Sequence, residues 1–120
     1  MNEPPVLLDG ARVLEFAILG DSARGIADGV ALGPDAVARL AIAESLLEEG
    51  VFLLHCDAEW GTVIGESFAD LQAARVAAAE AYRGHAIGWS AFRPLTPEES
   101  REVETTRAFL RELTADYPPG

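Results

Sequence analysis

The side chains with the most chemical reach stand in one short run, His55-Cys56-Asp57-Ala58-Glu59-Trp60, with His85 further along the chain. A nucleophilic centre would pair the Cys56 thiol with His55 or His85 as base and Asp57 as the group that orients it. Adjacent residues of a strand point to opposite faces, so His55 and Cys56 do not meet if VFLLHC is a strand, and His85 reaches the thiol only through the fold. A small buried thiol, a partly buried histidine and a solvated acidic turn is the favoured reading. A metal site would draw on His55, Asp57, Glu59 and His85. No pair of these has the close spacing of a zinc site, and the turn is shorter than an EF-hand loop. The expectation is therefore no enzyme, no metal and no cofactor. A small hydrolase or metal enzyme built on His55, Cys56, Asp57 and His85 is the third-ranked alternative.

Other chemical motifs fall short. Gly20-Asp21-Ser22-Ala23-Arg24-Gly25 has glycines, but Asp21 opposes an anion and no Gly-Lys-Ser/Thr follows to cradle a phosphate. Gly65-Glu66-Ser67 lacks the second glycine of a nucleophile elbow. Trp60, between Glu59 and Gly61, is the residue best suited to binding. Exposed at a hairpin tip and ringed by carboxylates, it would anchor an interface with a basic partner. The favoured reading is nonetheless that its ring folds back over the sheet edge. Trp89 reads as core.

These residues sit in a chain of 120 residues, 49% hydrophobic, with twenty acidic against nine basic residues and a formal net charge of −11. The length fits a single domain over residues 1–120, with residues 1–10 and 117–120 expected to be loosely ordered. The apolar fraction excludes a wholly disordered chain. All the bases are arginine, and so few cations amid so many carboxylates argue against nucleic acid and against anionic lipid. One cysteine forms no internal disulfide, which makes a reducing, cytoplasmic setting the expectation. The start lacks the basic n-region of a signal peptide, and the apolar run from Val13 to Leu19 is too short to span a bilayer.

The elements that must position the polar run follow from periodicity and turn residues. Residues 11–19 read as a strand ending at Gly20-Asp21-Ser22, and residues 20–33, with four glycines, as a long irregular connection. Residues 51–56 form a near-continuous apolar run, hence a central strand buried on both faces, with Phe52, Leu54 and Cys56 on one side and Val51, Leu53 and His55 on the other. Asp57–Gly61 is the hairpin loop and Thr62–Glu66 the return strand. Ser67-Phe68-Ala69-Asp70 carries a capping signature for a helix running to Arg83, with Leu71, Ala74, Ala78, Ala81 and Tyr82 on one stripe and Gly84 as the stop. Residues 86–92 read as a further strand, at an edge because of Gly88. Thr96-Pro97-Glu98-Glu99 holds a cap, an N1 proline and a glutamate three residues after the cap, so a last helix starts there. Its stripe of Val103, Thr106, Leu110, Leu113 and Tyr117, with Phe109 beside it, needs cover, from the protein's own sheet or else from a partner chain.

Residues 34–49 divide the signals. Pro34, the Ala, Leu and Glu content and Gly50 favour a helix, while Leu40, Ile42 and Ala43 suit a short strand turning back at Leu47–Gly50. The stretch Phe52–Leu54, Asp57 with Trp60, Val63–Ile64, Leu71–Tyr82, Gly84 and then Trp89 resembles a family of small bacterial proteins. Their core is an apolar strand, an Asp-x-x-Trp hairpin, a short return strand and an alanine-rich helix. This chain departs from them in using Ala and Arg where more polar residues and lysine are usual. The resemblance implies a strand within 38–45, paired as a hairpin with the next, and a role as an immunity or accessory factor beside a toxin. It implies no catalytic residues.

The resulting expectation is α+β: an antiparallel sheet of four to five strands with two to three helices packed mainly on one face. A helix at 34–49 would instead make a ferredoxin-like βαββαβ order plus a C-terminal helix. The expected function is non-enzymatic binding of a basic protein partner, in its most specific form inhibition of a basic toxin. The candidate contacts are Asp57, Glu59, Trp60 and Glu66 on the hairpin and Glu98, Glu99, Glu102 and Glu104 on the last helix. The alternative is a self-associating structural or accessory protein, a homodimer formed through the sheet edge or the last helix.

Overall fold

The apolar run VFLLHC forms a strand because every side chain in it is wanted on one face or the other. The computed structural model describes residues 3–19, 26–27, 30–31, 37–82 and 86–115. Within these, the chain runs β1 (Leu7–Leu8), β2 (Ala11–Ile18), β3 (Ile26–Ala27), β4 (Val30–Ala31), β5 (Arg39–Glu44), β6 (Val51–Cys56), β7 (Thr62–Phe68), α1 (Leu71–Ala81), β8 (Ser90–Ala91) and α2 (Pro97–Ala115). The main sheet has the order β1-β2-β5-β6-β7, with β8 joining β2 on the same edge as β1 and all neighbours antiparallel. β3 and β4 pair only with each other, within the segment read from sequence as an irregular connection.

Period-two alternation divides the sheet between two cores. Leu40, Ile42, Val51 and Leu53 face α1 and pack on Ala74, Ala78 and Tyr82. Ala41, Ala43, Leu54 and Cys56 face the other way and meet Leu8, Ala11, Val13 and Trp60. On that second side Leu8 and Ala11 share one cavity of about 270 Å³ with Phe52, Leu54 and Gly65, although β1 and β7 stand at opposite ends of the strand order. The sheet is therefore curled around this face. Each Val, Leu or Ile side chain buried in these cores contributes about 1.5–3 kcal/mol, which is why burial outvotes local propensity.

Residues 39–44 show that vote. RLAIAE has helix-forming composition, yet all six residues pair with β2 on one edge and β6 on the other. Its interior residues Leu40–Ala43 are fully buried. A strand here excludes the ferredoxin-like alternative. The following SLLEEG turns back: Ser45 Oγ accepts from the amides of Leu47 and Glu48, and the Ser45 amide donates to Gly50 O at 3.2 Å. Gly50 has φ +112°, and a Cβ there would lie 2.9 Å from Phe68 O, so glycine serves the turn and not a helix stop.

Several boundaries differ from the expectation. Within the lead-in, Pro4, Val6 and Leu8 are buried, and β1 pairs with β2 with Leu8 in the sheet's second core. Ser67 belongs to β7, extending the return strand to Phe68, and Asp70 is the helix cap, its Oδ1 accepting from the Ala73 amide at 2.8 Å. α1 ends at Ala81 with Tyr82 as C-cap; Arg83, Gly84 and His85 lie outside the described residues. Of residues 86–92 only Ser90–Ala91 pair as strand. Trp89 is half-buried and packs against the α1 core.

α2 begins where expected. The Thr96 hydroxyl accepts from the Glu99 amide at 3.1 Å and the Glu99 carboxylate accepts from the Thr96 amide at 2.9 Å, a reciprocal capping box. The helix packs at the sheet's end through Val103 and Leu110, against Val6, Leu46 and Leu95. Phe109 and Leu113 are left exposed, at 57% and 41%, while Tyr117 lies outside the described residues. Among the described residues no helix is long and apolar enough to cross a membrane.

Candidate functional site

The hairpin between β6 and β7 is shaped by one carboxylate. Asp57 Oδ1 accepts from the amides of Glu59 (2.8 Å) and Gly61 (2.9 Å), while the Asp57 backbone amide donates to Gly61 O at 2.9 Å. The loop has no room for a side chain at Gly61, where a Cβ would stand 2.8 Å from Asp57 Oδ2. Inside this cage Trp60 adopts φ +65°, a left-handed conformation that a bulky residue seldom takes without compensation. The compensation is burial. The indole swings back over the sheet to 5% exposure, meets Phe16 edge-on at 5.9 Å and lies 5.2 Å beneath the Arg39 guanidinium. Trp60 is thus a wall of the core and not an exposed anchor. Asp57 is engaged in holding the turn that places it.

Beside Trp60 opens a groove of about 520 Å³. Its walls include Glu3, Pro4, Glu59, Trp60, Arg93 and Glu99. Three separate parts of the chain meet here: the lead-in, the β6–β7 hairpin and the start of α2. Glu99 does two things at once, closing the helix cap and accepting two bonds from Arg93, at 2.6 and 2.7 Å. Those donors hold its carboxyl at about 2, well below the usual carboxylate range. Arg93 also reaches Glu3 at 3.1 Å, and its pKa is raised by the Glu99 hydrogen bonds first and by the charge of Glu3 as well. The groove therefore carries three carboxylates against one arginine on an apolar floor.

Of the eight candidate contact residues, the structure brings Glu59, Trp60 and Glu99 together in this groove, with Asp57 behind it. Glu98 and Glu102 are exposed on α2, and neither carboxylate makes a bond or ion pair among the described residues. Glu104 pairs with Arg107. Glu66 stands elsewhere, on the α1 side of the sheet.

There Glu66 completes a relay that sequence reasoning missed. His55, 2% exposed, sits between the Tyr82 hydroxyl at Nδ1 (2.5 Å) and Glu66 Oε1 at Nε2 (2.8 Å). With a neutral imidazole, Tyr82 donates to Nδ1 and Nε2–H donates to the carboxylate, so every polar atom of the buried pair is used. Tyr82 is fully buried, and burial pushes its hydroxyl pKa up, helped by the Glu66 charge. A tyrosine on the apolar stripe of α1 was the available signal, since a buried phenol demands a partner.

Cys56 lies on the opposite face in the Trp60 core, so His55 and Cys56 do not meet. Its thiol donates weakly to Leu54 O at 3.7 Å, and burial pushes its pKa up to about 12. His85 lies outside the described residues. Among the described residues no group of three or more His, Cys, Asp or Glu side chains could hold a metal ion. Comparison with protein-family models, curated proteins and solved structures finds no match to this chain.

Proposed function

We propose that this chain is a non-enzymatic acidic binding protein that receives a basic protein partner at the Trp60 groove. In its most specific form it is an immunity-type inhibitor of a basic bacterial toxin. The observation that carries the reading is the convergence of Glu3, Glu59 and Glu99 from three chain segments on one open, apolar-floored groove. Carboxylates over an apolar wall suit the stem and head of an arginine or lysine, whose methylenes cover the floor while the charge meets the rim. The net charge of −11 adds long-range attraction that speeds encounter with a cationic surface. Glu98 and Glu102 add exposed carboxylates on α2. The specific toxin role draws on the resemblance of the hairpin and α1 segment.

The test is titration of the full chain with protamine, an arginine-rich protein, by calorimetry. Raising salt from about 0.01 to about 1 M shortens the screening length from about 30 to about 3 Å and should abolish binding. Glu59→Gln combined with Glu3→Gln should weaken binding more than Glu48→Gln with Glu80→Gln, which removes the same charge elsewhere. Equal losses in the two double variants would refute the groove as the site. A toxin encoded beside this chain, neutralised on co-expression, is the observation that would favour the inhibitor form.

A second reading, self-association, is favoured by Phe109 and Leu113, which α2 leaves exposed. Light scattering of the purified chain distinguishes them: a monomer at high concentration removes the second reading, and a dimer dispersed by Phe109→Glu supports it.

A further inference from the structure

Arg12 on β2 and Arg107 on α2 meet at a separate pocket of about 280 Å³, whose other walls are Leu95, Ser100, Val103 and Glu104. Two of nine cations converging on one pocket is an outlier in a chain with twenty carboxylates. Neither guanidinium spends all of its donors. Arg107 gives Nε to Leu46 O at 3.1 Å and Nη1 to Glu104, leaving Nη2 without a partner among the described residues. Arg12 gives only Nη1, to Glu44 at a long 3.3 Å, and its Nε is buried without any partner among the described residues. A guanidinium carries five N–H groups, and a buried one left unmatched is destabilising. Arg12 is thus weakly held where it stands, with its Nη2 donors unspent among the described residues.

We propose that this pocket binds the compact oxyanion group of a small molecule. The Nη2 groups of Arg12 and Arg107 and the Ser100 hydroxyl are unspent donors on residues that line the pocket, and arginine Nη donors are the groups that grip a carboxylate or phosphate. Leu95 and Val103 give a short carbon chain an apolar wall. Glu104 is no permanent plug: its side chain is 66% exposed and its carboxylate pairs with Arg107, so it can swing into solvent when an anion arrives. The surrounding negative charge keeps the affinity modest, and screening confines its reach to about 8 Å at physiological salt. The site shares no residue with the Trp60 groove, so the two proposals stand or fall separately.

Titration of the isotope-labelled full chain with inorganic phosphate, and separately with acetate, followed by NMR at constant chloride, tests the site. Saturable shifts should appear at the Ser100 and Val103 amides and at the Arg12 and Arg107 side chains. A response to phosphate alone assigns a phosphoryl ligand and a response to acetate alone a carboxylate. Arg12→Gln should weaken binding about tenfold, the scale of one lost charge-assisted hydrogen bond. Arg12→Lys keeps the charge and the Glu44 pairing but not the planar donor set, so it should also weaken binding while the fold, read by thermal unfolding, is retained. No saturable response to either anion, or equal affinity in the wild type and both Arg12 variants, overturns the proposal. Shifts confined to the Thr96 and Glu98 amides, marking a helix end instead of the pocket, overturn it too.

Discussion

His55 Nδ1 and the Tyr82 hydroxyl lie 2.5 Å apart in the interior, tying the last turn of α1 to the middle of the sheet. Tyr82 ends the helix and His55 stands near the end of β6, so this polar contact adds to the apolar packing that docks α1 on the strands it covers. Glu66 on β7 extends the tie to a third element.

Breaking that contact from either side leaves a buried polar atom unmatched. Tyr82→Phe orphans His55 Nδ1 and His55→Phe orphans the phenol, and each should cost about 1–3 kcal/mol in urea unfolding. The double variant, apolar on both sides, should lose less than the sum. Additive losses would show that the contact has no energetic role.

Cys56 should be inert while the protein is folded. With the thiol buried and its pKa at about 12, almost no thiolate exists near neutral pH. Iodoacetamide labelling followed by mass spectrometry should proceed only as fast as the chain opens and should accelerate sharply in denaturant. Rapid labelling of the native protein would contradict the placement of Cys56 in the core.

Glu99 gives acid sensitivity a defined direction. Its carboxyl titrates at about 2 in the folded chain against an ordinary 4.5, so the folded state favours the ionised form. The stabilisation is complete above the ordinary value and is lost as pH falls towards the folded one. Denaturant midpoints at about pH 5, 3.5 and 2 should fall more steeply for the wild type than for Glu99→Gln, which keeps the cap but does not titrate. Parallel profiles would exclude Glu99 as the source.

Trp60 is expected to behave as a core residue. Trp60→Ala should cost about 3–5 kcal/mol, the range for emptying a large aromatic site. If Trp60 instead acted only as a binding anchor, the variant would retain its stability and lose partner affinity. Fluorescence of a Trp89→Phe protein, which isolates Trp60, should be blue-shifted when folded and shift red on unfolding.

Local patterns determined much of this molecule. Val51–Cys56 read as a strand buried on both faces, because a short, near-continuous apolar run between turn residues suits a central strand. Thr96-Pro97-Glu98-Glu99 had to open a helix, since cap, proline and glutamate each satisfy the same backbone amides from neighbouring positions. The opposite orientations of His55 and Cys56 followed from the period of a strand alone. Tertiary structure decided what depends on distant partners. It made RLAIAE a strand despite its helix-forming composition, because pairing on both edges outweighed propensity. It turned Trp60 inward onto Phe16, a residue over forty positions away that no local signal connects to the hairpin. It also joined Tyr82 to His55 and brought Glu3, Glu59 and Glu99 to one groove. Short-range chemistry is written in neighbouring residues, whereas contacts between remote segments exist only once the curled sheet has closed the distance between them.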